Sequence, residues 1–129
     1  HTLNEIREKL AARDFAEPDI ETTVVALADE GLVSDERFAE SFTAVRLRRG
    51  QGPIRIRMDM ERRGVSTELI RAHLDGADED WVARAKEVLR KRFGNSPPVD
   101  FRQKARQARF LQYRGFTTEQ IQAALAASE

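Results

Sequence analysis

The stretch RLRRGQGPIRIRMDMERRGV, residues Arg46 to Val65, decides how this chain folds. It ends one helix, breaks at Gly50-Gln51-Gly52 and starts a second helix at Pro53, whose fixed φ and missing N–H suit a first helical position. Gly64 then ends the second helix. The stretch holds seven arginines, which are Arg46, Arg48, Arg49, Arg55, Arg57, Arg62 and Arg63. Because arginine grips phosphate or carboxylate with two parallel hydrogen bonds, the segment is a candidate binding surface as well as a turn between helices.

Length and composition limit the class of protein. A chain of 129 residues with 40% hydrophobic content suits one domain, or an array of small repeats, with a real core. No run approaches the roughly 18 apolar residues of a membrane span, and no secretion signal opens the chain, so we expect a cytoplasmic protein. The absence of cysteine excludes disulfides, a catalytic thiol and thiolate metal sites. His1 in place of a starting Met predicts that N-terminal residues are missing.

The net charge of zero hides a gradient along the chain. Residues 1–40 carry 4 basic and 11 acidic side chains, whereas residues 41–75 carry 8 basic and 4 acidic ones. An acidic front and a basic body favour a charged partner over a small apolar ligand, although solubility alone also accounts for such an asymmetry.

Helix-start signals recur through the whole chain and predict an all-α fold of about eight helices. Each is a capping side chain or a proline followed by apolar residues at helical spacing, and no segment alternates like a strand. The predicted start signals are Thr2, Pro18, Ser34, Pro53, Ser66, the acidic run Asp78-Glu79-Asp80, Asp100 and Thr117.

An internal repeat appears when the helices are aligned at offsets of 50 and 51 residues. The matched columns include Leu10/Met60/Leu111, Arg13/Arg63/Arg114, Asp14/Gly64/Gly115, Phe15/Val65/Phe116 and Ile20/Ile70/Ile121. The unit is a helix pair joined at a glycine-type turn, preceded in the second and third copies by a longer helix. We therefore predict tandem three-helix repeats at residues 1–33 (without its leading helix), 34–76 and 77–129, forming an elongated, curved array.

Apolar spacing also predicts which side chains point inward. In the seventh helix these are Phe101, Ala105, Ala108 and Leu111. Met58, Trp81, Tyr113 and the phenylalanines are expected in the core or between repeats, and Tyr113, beside Arg114, is the one of them suspected of exposure.

A catalytic site finds little support in the sequence. His73 has no plausible catalytic neighbour along the chain, and His1 stands at its edge. The run Asp78-Glu79-Asp80 has metal-ligand chemistry, but a helix N-terminus explains its position. Gly50-Gln51-Gly52-Pro53 is too short for a phosphate-binding loop. We expect no enzyme, no cofactor and no metal.

A second basic helix lies in the third repeat. It carries Arg102, Lys104, Arg106 and Arg109, with Arg114 at its end. Most of these side chains lie off the predicted inward face and must be displayed. Since equivalent positions of a repeat array share a side, a basic stripe across both helices is predicted, with a merely solvated face as the competing interpretation.

Several segments together resemble the RecX regulators of the bacterial recombinase RecA. They are Asp35–Phe42 (DERFAESF), Arg49–Ile56 (RGQGPIRI), Arg63-Gly64-Val65 and Arg109–Phe116 (RFLQYRGF). The resemblance covers nearly the whole chain except the leading helix of repeat one. It implies a non-enzymatic regulator that lies in the groove of the RecA filament on DNA and restrains ATP hydrolysis, strand exchange and filament growth, within DNA repair, recombination and the SOS response. The implied partners are the RecA filament and, weakly and without sequence preference, single- or double-stranded DNA; a monomer with no membrane contact is expected.

Helix pairs with glycine turns also fit a different class, the helix-turn-helix DNA reader. In that motif the helix after the turn reads base edges in the major groove. The corresponding helices here offer Glu68, Arg71 and His73, or Glu119, Gln120 and Gln122, so most of the positive charge lies on the preceding helices. That placement favours contact with a phosphate backbone or an acidic protein, and both classes stay open.

Overall fold

A computed structural model describes residues 1–31, 34–76 and 80–126. Within these ranges the chain forms eight α-helices and no strand, as predicted. The helices are α1 (Leu3–Ala12), α2 (Glu17–Asp29), α3 (Asp35–Arg48), α4 (Pro53–Arg62), α5 (Thr67–Leu74), α6 (Trp81–Phe93), α7 (Phe101–Arg114) and α8 (Thr118–Ala126).

The helix starts follow the capping signals in the sequence. The Thr2 side chain accepts from the backbone N–H of Glu5 while the Glu5 carboxylate accepts from that of Thr2, a complete capping box. Ser34 and Ser66 also accept from the first turns of their helices. The remaining side-chain caps are Asp80, Asp100 and Thr117. The predicted capping residues Asp78 and Glu79 lie outside the described residues, as do Leu32 and Val33.

Two apolar clusters hold the helices together. Helices α3, α4 and α5 enclose the first around Ile56, Met60 and Ile70, all fully buried. Helices α6, α7 and α8 enclose the second around Leu111 and Phe116. Trp81 packs against both clusters, and its Nε1 donates to the Leu74 carbonyl oxygen at 3.1 Å. The two groups of helices are therefore joined through apolar contact.

Neighbouring groups of helices meet at two joints. The one between α4 and the α7–α8 turn, which we call the second joint by its order along the chain, is held by hydrogen bonds between backbone groups. The Gly52 N–H donates to the Arg114 carbonyl at 2.8 Å and the Ile54 N–H to the Gly115 carbonyl at 2.9 Å. The first N–H groups of α4, which have no partner within their own helix, thus bind the last carbonyls of α7. A Cβ on Gly52 would lie 2.5 Å from the Gly115 backbone, and one on Gly115 would lie 2.5 Å from Arg55 Cβ. Only glycine fits this approach.

The first joint repeats this arrangement between α1 and the α4–α5 turn. Thr2 Oγ1 donates to the Arg63 carbonyl at 2.5 Å, and a Cβ on Gly64 would lie 2.4 Å from Asn4 Cβ. Arg63 also holds Glu5 through two hydrogen bonds, of 2.7 and 3.1 Å. This contact holds the pKa of the Glu5 carboxyl below its ordinary value. The glycine columns of the sequence repeat therefore mark the positions where neighbouring helix groups meet.

Some predicted core residues lie at the surface. Phe101 is 84% exposed and Met58 is 46% exposed, so both predictions were wrong. At about 100° per residue, Phe101 stands about 80° around α7 from Leu111, on the flank of the helix. Met58 lies two residues from Met60 and therefore faces away from the first cluster. Phe15, predicted with the other phenylalanines to lie in the core or between repeats, is 52% exposed. The exposure suspected for Tyr113 is confirmed, since that side chain is 81% exposed.

Candidate functional site

Three of the predicted binding arginines are held in contacts within the fold. Arg46 Nη1 lies 2.7 Å from Asp59 Oδ2 and 2.9 Å from Gln51 Oε1, and its guanidinium sits 4.4 Å from the centre of the Phe42 ring. Arg57 Nη2 lies 2.6 Å from Asp75 Oδ1. Arg63, in the first joint, completes this group. Each guanidinium is paired with a carboxylate inside the fold, so these three arginines contribute to the arrangement of the helices.

Other cations converge on a groove between the C-terminal end of α3, the outer face of α6 and the C-terminal half of α7. Its volume is about 590 Å³. We call it the basic groove, and it is lined by Leu47, Arg48, Arg49, Gly50, Gln51, Arg84, Glu87, Val88, Lys91, Arg92, Phe110, Arg114 and Phe116. Six basic side chains thus face a single acidic one. Three of the six, Arg48, Arg49 and Arg114, are predicted site residues, brought together from two different repeats of the sequence.

Phe110 lines the groove, packs against Phe93 and contacts two of the groove's cations. The Phe93 and Phe110 rings meet edge to face with their centres 5.4 Å apart. The guanidinium groups of Arg92 and Arg114 lie 5.9 and 5.1 Å from the centre of the Phe110 ring, within the range of a cation–π contact. Arg114 Nη1 also donates to the Arg49 carbonyl at 2.7 Å. Arg114 is therefore fixed in place, while Arg48 and Arg49 extend into solvent.

The one acid of the groove is already neutralised. Arg90 donates to both carboxylate oxygens of Glu87, which holds the pKa of Glu87 below its ordinary value and raises that of Arg90. Lys91 Nζ stands 3.9 Å from the same carboxylate. A paired carboxylate repels an incoming anion weakly. The groove can therefore hold phosphates or carboxylates at its rim and apolar groups against Val88 and Leu47.

The remaining predicted site residues lie outside the groove. Arg55 and Arg62 border a hollow between α4 and Tyr113. On α7, Arg102, Lys104, Arg106 and Arg109 are exposed, with the Arg106 guanidinium 5.7 Å from the centre of the Phe93 ring. The structure thus divides the predicted basic stripe into internal contacts, the basic groove, the hollow and the outer face of α7.

Lys91 and Arg92 line the groove, although the sequence analysis did not single them out. They belong to the run Arg90-Lys91-Arg92 at the end of α6, where the helix macrodipole explains cations because they stabilise a helix C-terminus. That explanation accounts for the charge but not for its position next to the Arg48-Arg49 end of α3. The usable signal is that two runs of consecutive basic residues both end helices of neighbouring units.

The structure also defines the surroundings of His73, the histidine that the sequence analysis considered for catalysis. His73 Nε2 lies 3.1 Å from Glu36 Oε1, a pairing at the surface of α5. Within the described ranges no three His, Asp or Glu side chains cluster so as to hold a metal ion. None of the described helices has the length and apolar character needed to cross a membrane.

The fold and its groove define the class: an all-α protein of three-helix units with a groove lined by basic side chains. Comparison with known proteins then gives the family. The family model for the second three-helix domain of RecX matches residues 34–74, and the model for the third matches residues 78–125. The chain belongs to the RecX family of regulatory proteins.

Curated relatives are similar to this sequence along nearly its whole length. It is 45% identical over 129 residues to the regulatory protein RecX of Halorhodospira halophila, covering 100% of this chain and 80% of the relative. It is 48% identical to that of Chromohalobacter salexigens, covering 98% and 82%. The crystal structure of RecX from Lactobacillus salivarius superposes with a TM-score of 0.81 at 22% identity, covering 99% of this chain and 85% of that one. That superposition supports the three-helix repeat fold.

Proposed function

We propose that this protein binds the RecA filament assembled on DNA and lowers its ATP hydrolysis and strand exchange, without catalysis of its own. The observation that carries the proposal is the basic groove, in which six basic side chains from the α3, α6 and α7 regions line one hollow with a single acidic one, in a member of the RecX family. The protein acts in the cytoplasm as a monomer within DNA repair, recombination and the SOS response. Light scattering that gives the 14.7 kDa mass of one chain would support the monomer.

A nucleoprotein filament suits this surface because it presents phosphates and protein carboxylates side by side. Arginine binds both in the same two-point geometry. The acidic first forty residues of the chain carry the opposite charge and complement basic protein surface. Electrostatic contact of this kind steers encounter and fixes orientation without reading bases.

Sequence-specific helix-turn-helix binding is the alternative. Helices α5 and α8 follow the glycine turns, as a recognition helix would, but α5 carries Glu68 at its start, and its His73 is paired with Glu36. Carboxylates near a phosphate backbone oppose binding. We therefore expect weak, salt-sensitive and sequence-tolerant DNA binding. A footprint that protects one sequence selectively would favour the alternative.

The test of the proposal is the DNA-stimulated ATP hydrolysis of RecA, titrated with this protein. Wild type is compared with R48A/R49A, which removes two exposed cations of the groove. The matched control is R13A/R71A, which removes two exposed cations outside the groove. Wild type and the control should inhibit alike, and R48A/R49A should need about tenfold more protein for the same inhibition.

Two outcomes contradict different parts of the proposal. If wild type leaves the hydrolysis rate unchanged at stoichiometric excess over RecA, the regulatory function is wrong. If R48A/R49A folds as wild type and inhibits equally well, the function stands and the groove is the wrong surface.

A further inference from the structure

We propose that a second surface, between α4 and the end of α7, is the protein-contact site of this molecule and takes an acidic segment carrying an apolar side chain. We call it the α4–α7 patch and define it by Ile54, Met58, Tyr113, Arg55 and Arg62. The assignment rests on the proposed function, because the acidic segment is taken to belong to the recombinase. It adds which face meets protein and which meets nucleic acid.

Three exposed apolar side chains meet around one hollow in this patch. Tyr113 is 81% exposed, and Ile54 and Met58 are 45% and 46% exposed. Together they surround a hollow of about 330 Å³. Ile54 and Met58 are four residues apart, so they stand one above the other on the outer face of α4. Tyrosine, methionine and arginine are the residue types enriched in protein interfaces, and a cluster of exposed apolar side chains on one face marks a contact site.

Charge separates this patch from the basic groove. The groove has six basic side chains against one acid, while the hollow has Arg55 and Arg62 against Asp59. A polyanion such as DNA gains most where phosphates displace counterions from many cations, and that place is the groove. The patch has one exposed aromatic ring and aliphatic neighbours, which is a poor platform for stacking successive bases. Protein is the better occupant.

The arginines of the patch indicate that the protein segment it binds carries a carboxylate. Asp59 is bound to Arg46 at 2.7 Å through one oxygen, and its other oxygen lies 3.6 Å from Arg62 Nη1. The Arg62 side chain is 71% exposed, so this longer contact leaves it accessible to a partner's carboxylate. An apolar side chain in the hollow with a carboxylate beside it would satisfy Met58, Tyr113 and Arg62 together.

The two surfaces also point in different directions, which lets one molecule touch two partners at once. Arg114 lines the groove and Gln112 lines the hollow. Two residues apart on a helix, they stand about 160° from each other around α7. A variant of one surface should therefore leave the other intact.

The experiment measures binding of M58A/Y113A to RecA filaments and, separately, to a bare single-stranded oligonucleotide. The matched control is V99A/F101A, which removes two apolar side chains of similar or greater exposure at the far end of α7, about 18 Å from Tyr113 along the helix. M58A/Y113A should bind filaments at least about tenfold more weakly, equivalent to 1.4 kcal/mol, and bind the oligonucleotide as wild type does. The control should match wild type in both assays, and circular dichroism should show all three folded.

Each contrary outcome identifies its own failure. Oligonucleotide binding weakened as much as filament binding would assign the patch to nucleic acid and overturn the proposal. Filament binding unchanged in M58A/Y113A would overturn it as well, with the regulatory function intact. Absence of filament binding by wild type would be a failure of the proposed function, and the patch assignment would fall with it.

Discussion

The most informative single substitution is Gly52→Ala, because it adds one methyl group to the second joint. The backbone of Gly52 is extended, with φ −89° and ψ 173°, a conformation that alanine adopts without strain. The added Cβ would lie 2.5 Å from the C and O atoms of Gly115 and from the N of Phe116. These are backbone atoms and cannot rotate away, so the joint must open by about 1 Å to reach an ordinary contact distance of about 3.5 Å.

The expected cost follows from what the joint holds. Opening it weakens the hydrogen bonds from the Gly52 and Ile54 N–H groups to the Arg114 and Gly115 carbonyls, worth about 0.5–1.5 kcal/mol each. With the loosened packing of Phe116, the total is about 2–4 kcal/mol. A chain of 129 residues has about 6–19 kcal/mol of stability, so the loss is large. The thermal midpoint should fall by roughly 8 to 16 °C.

Urea and thermal unfolding by circular dichroism measure this loss. The matched control is Gly76→Ala, where φ lies outside the left-handed range and, among the described residues, the added Cβ would meet the Ala72 carbonyl oxygen alone, at 3.9 Å, an ordinary contact. That control should stay within about 1 kcal/mol of wild type. If Gly52→Ala also stays within about 1 kcal/mol, the close approach of the two backbones does not hold the helix groups together, and the reasoning about the joints is wrong.

Three further predictions concern the charged residues. Glu5→Gln should lower the free energy of unfolding by about 1 kcal/mol at neutral pH by weakening the first joint. Because folding lowers the pKa of Glu5, this difference is present above the ordinary pKa of the carboxyl and should shrink as the pH falls from about 5 to about 3. Urea midpoints at each pH measure it, and a difference that stays constant with pH would exclude the ion pair as its cause. Arg46→Ala should lower the free energy of unfolding by about 1–3 kcal/mol through loss of its hydrogen bonds to Gln51 and Asp59, and an unchanged urea midpoint would contradict that structural role. R48A/R49A should leave the unfolding midpoint unchanged and reduce the slope of log K against log salt for single-stranded DNA by about 1.4; an unchanged slope would place the phosphates elsewhere.

The sequence predicted the helices well because their ends are local. Thr2, Ser34, Ser66 and Asp100 cap within their own first turns, so three or four residues of sequence contain the whole interaction. The repeat columns also located Gly64 and Gly115. They could not show that the first turn of a helix from a neighbouring unit packs against each glycine, because that contact joins residues 50 or more positions apart.

Sequence reasoning was weakest for the arginines, whose roles depend on distant partners. Arg46 and Arg48 look alike in the sequence, yet the first is held by Asp59 and Gln51 and the second is exposed. Lys91 lines the groove together with Arg48 and Arg49 because α6 lies beside the end of α3, which the sequence does not show. Met58 is different, since its position two residues from Met60 already indicates the outer face of α4.

The most direct test of the central claim is binding of the chain to preformed RecA filaments. Filaments are assembled on single-stranded DNA with a non-hydrolysable ATP analogue, and retention of labelled protein is measured over a range of salt concentrations. The account predicts saturable binding that weakens as salt rises and that R48A/R49A reduces about tenfold, while R13A/R71A binds as wild type does. Binding that is absent, or that is insensitive both to salt and to R48A/R49A, would contradict it.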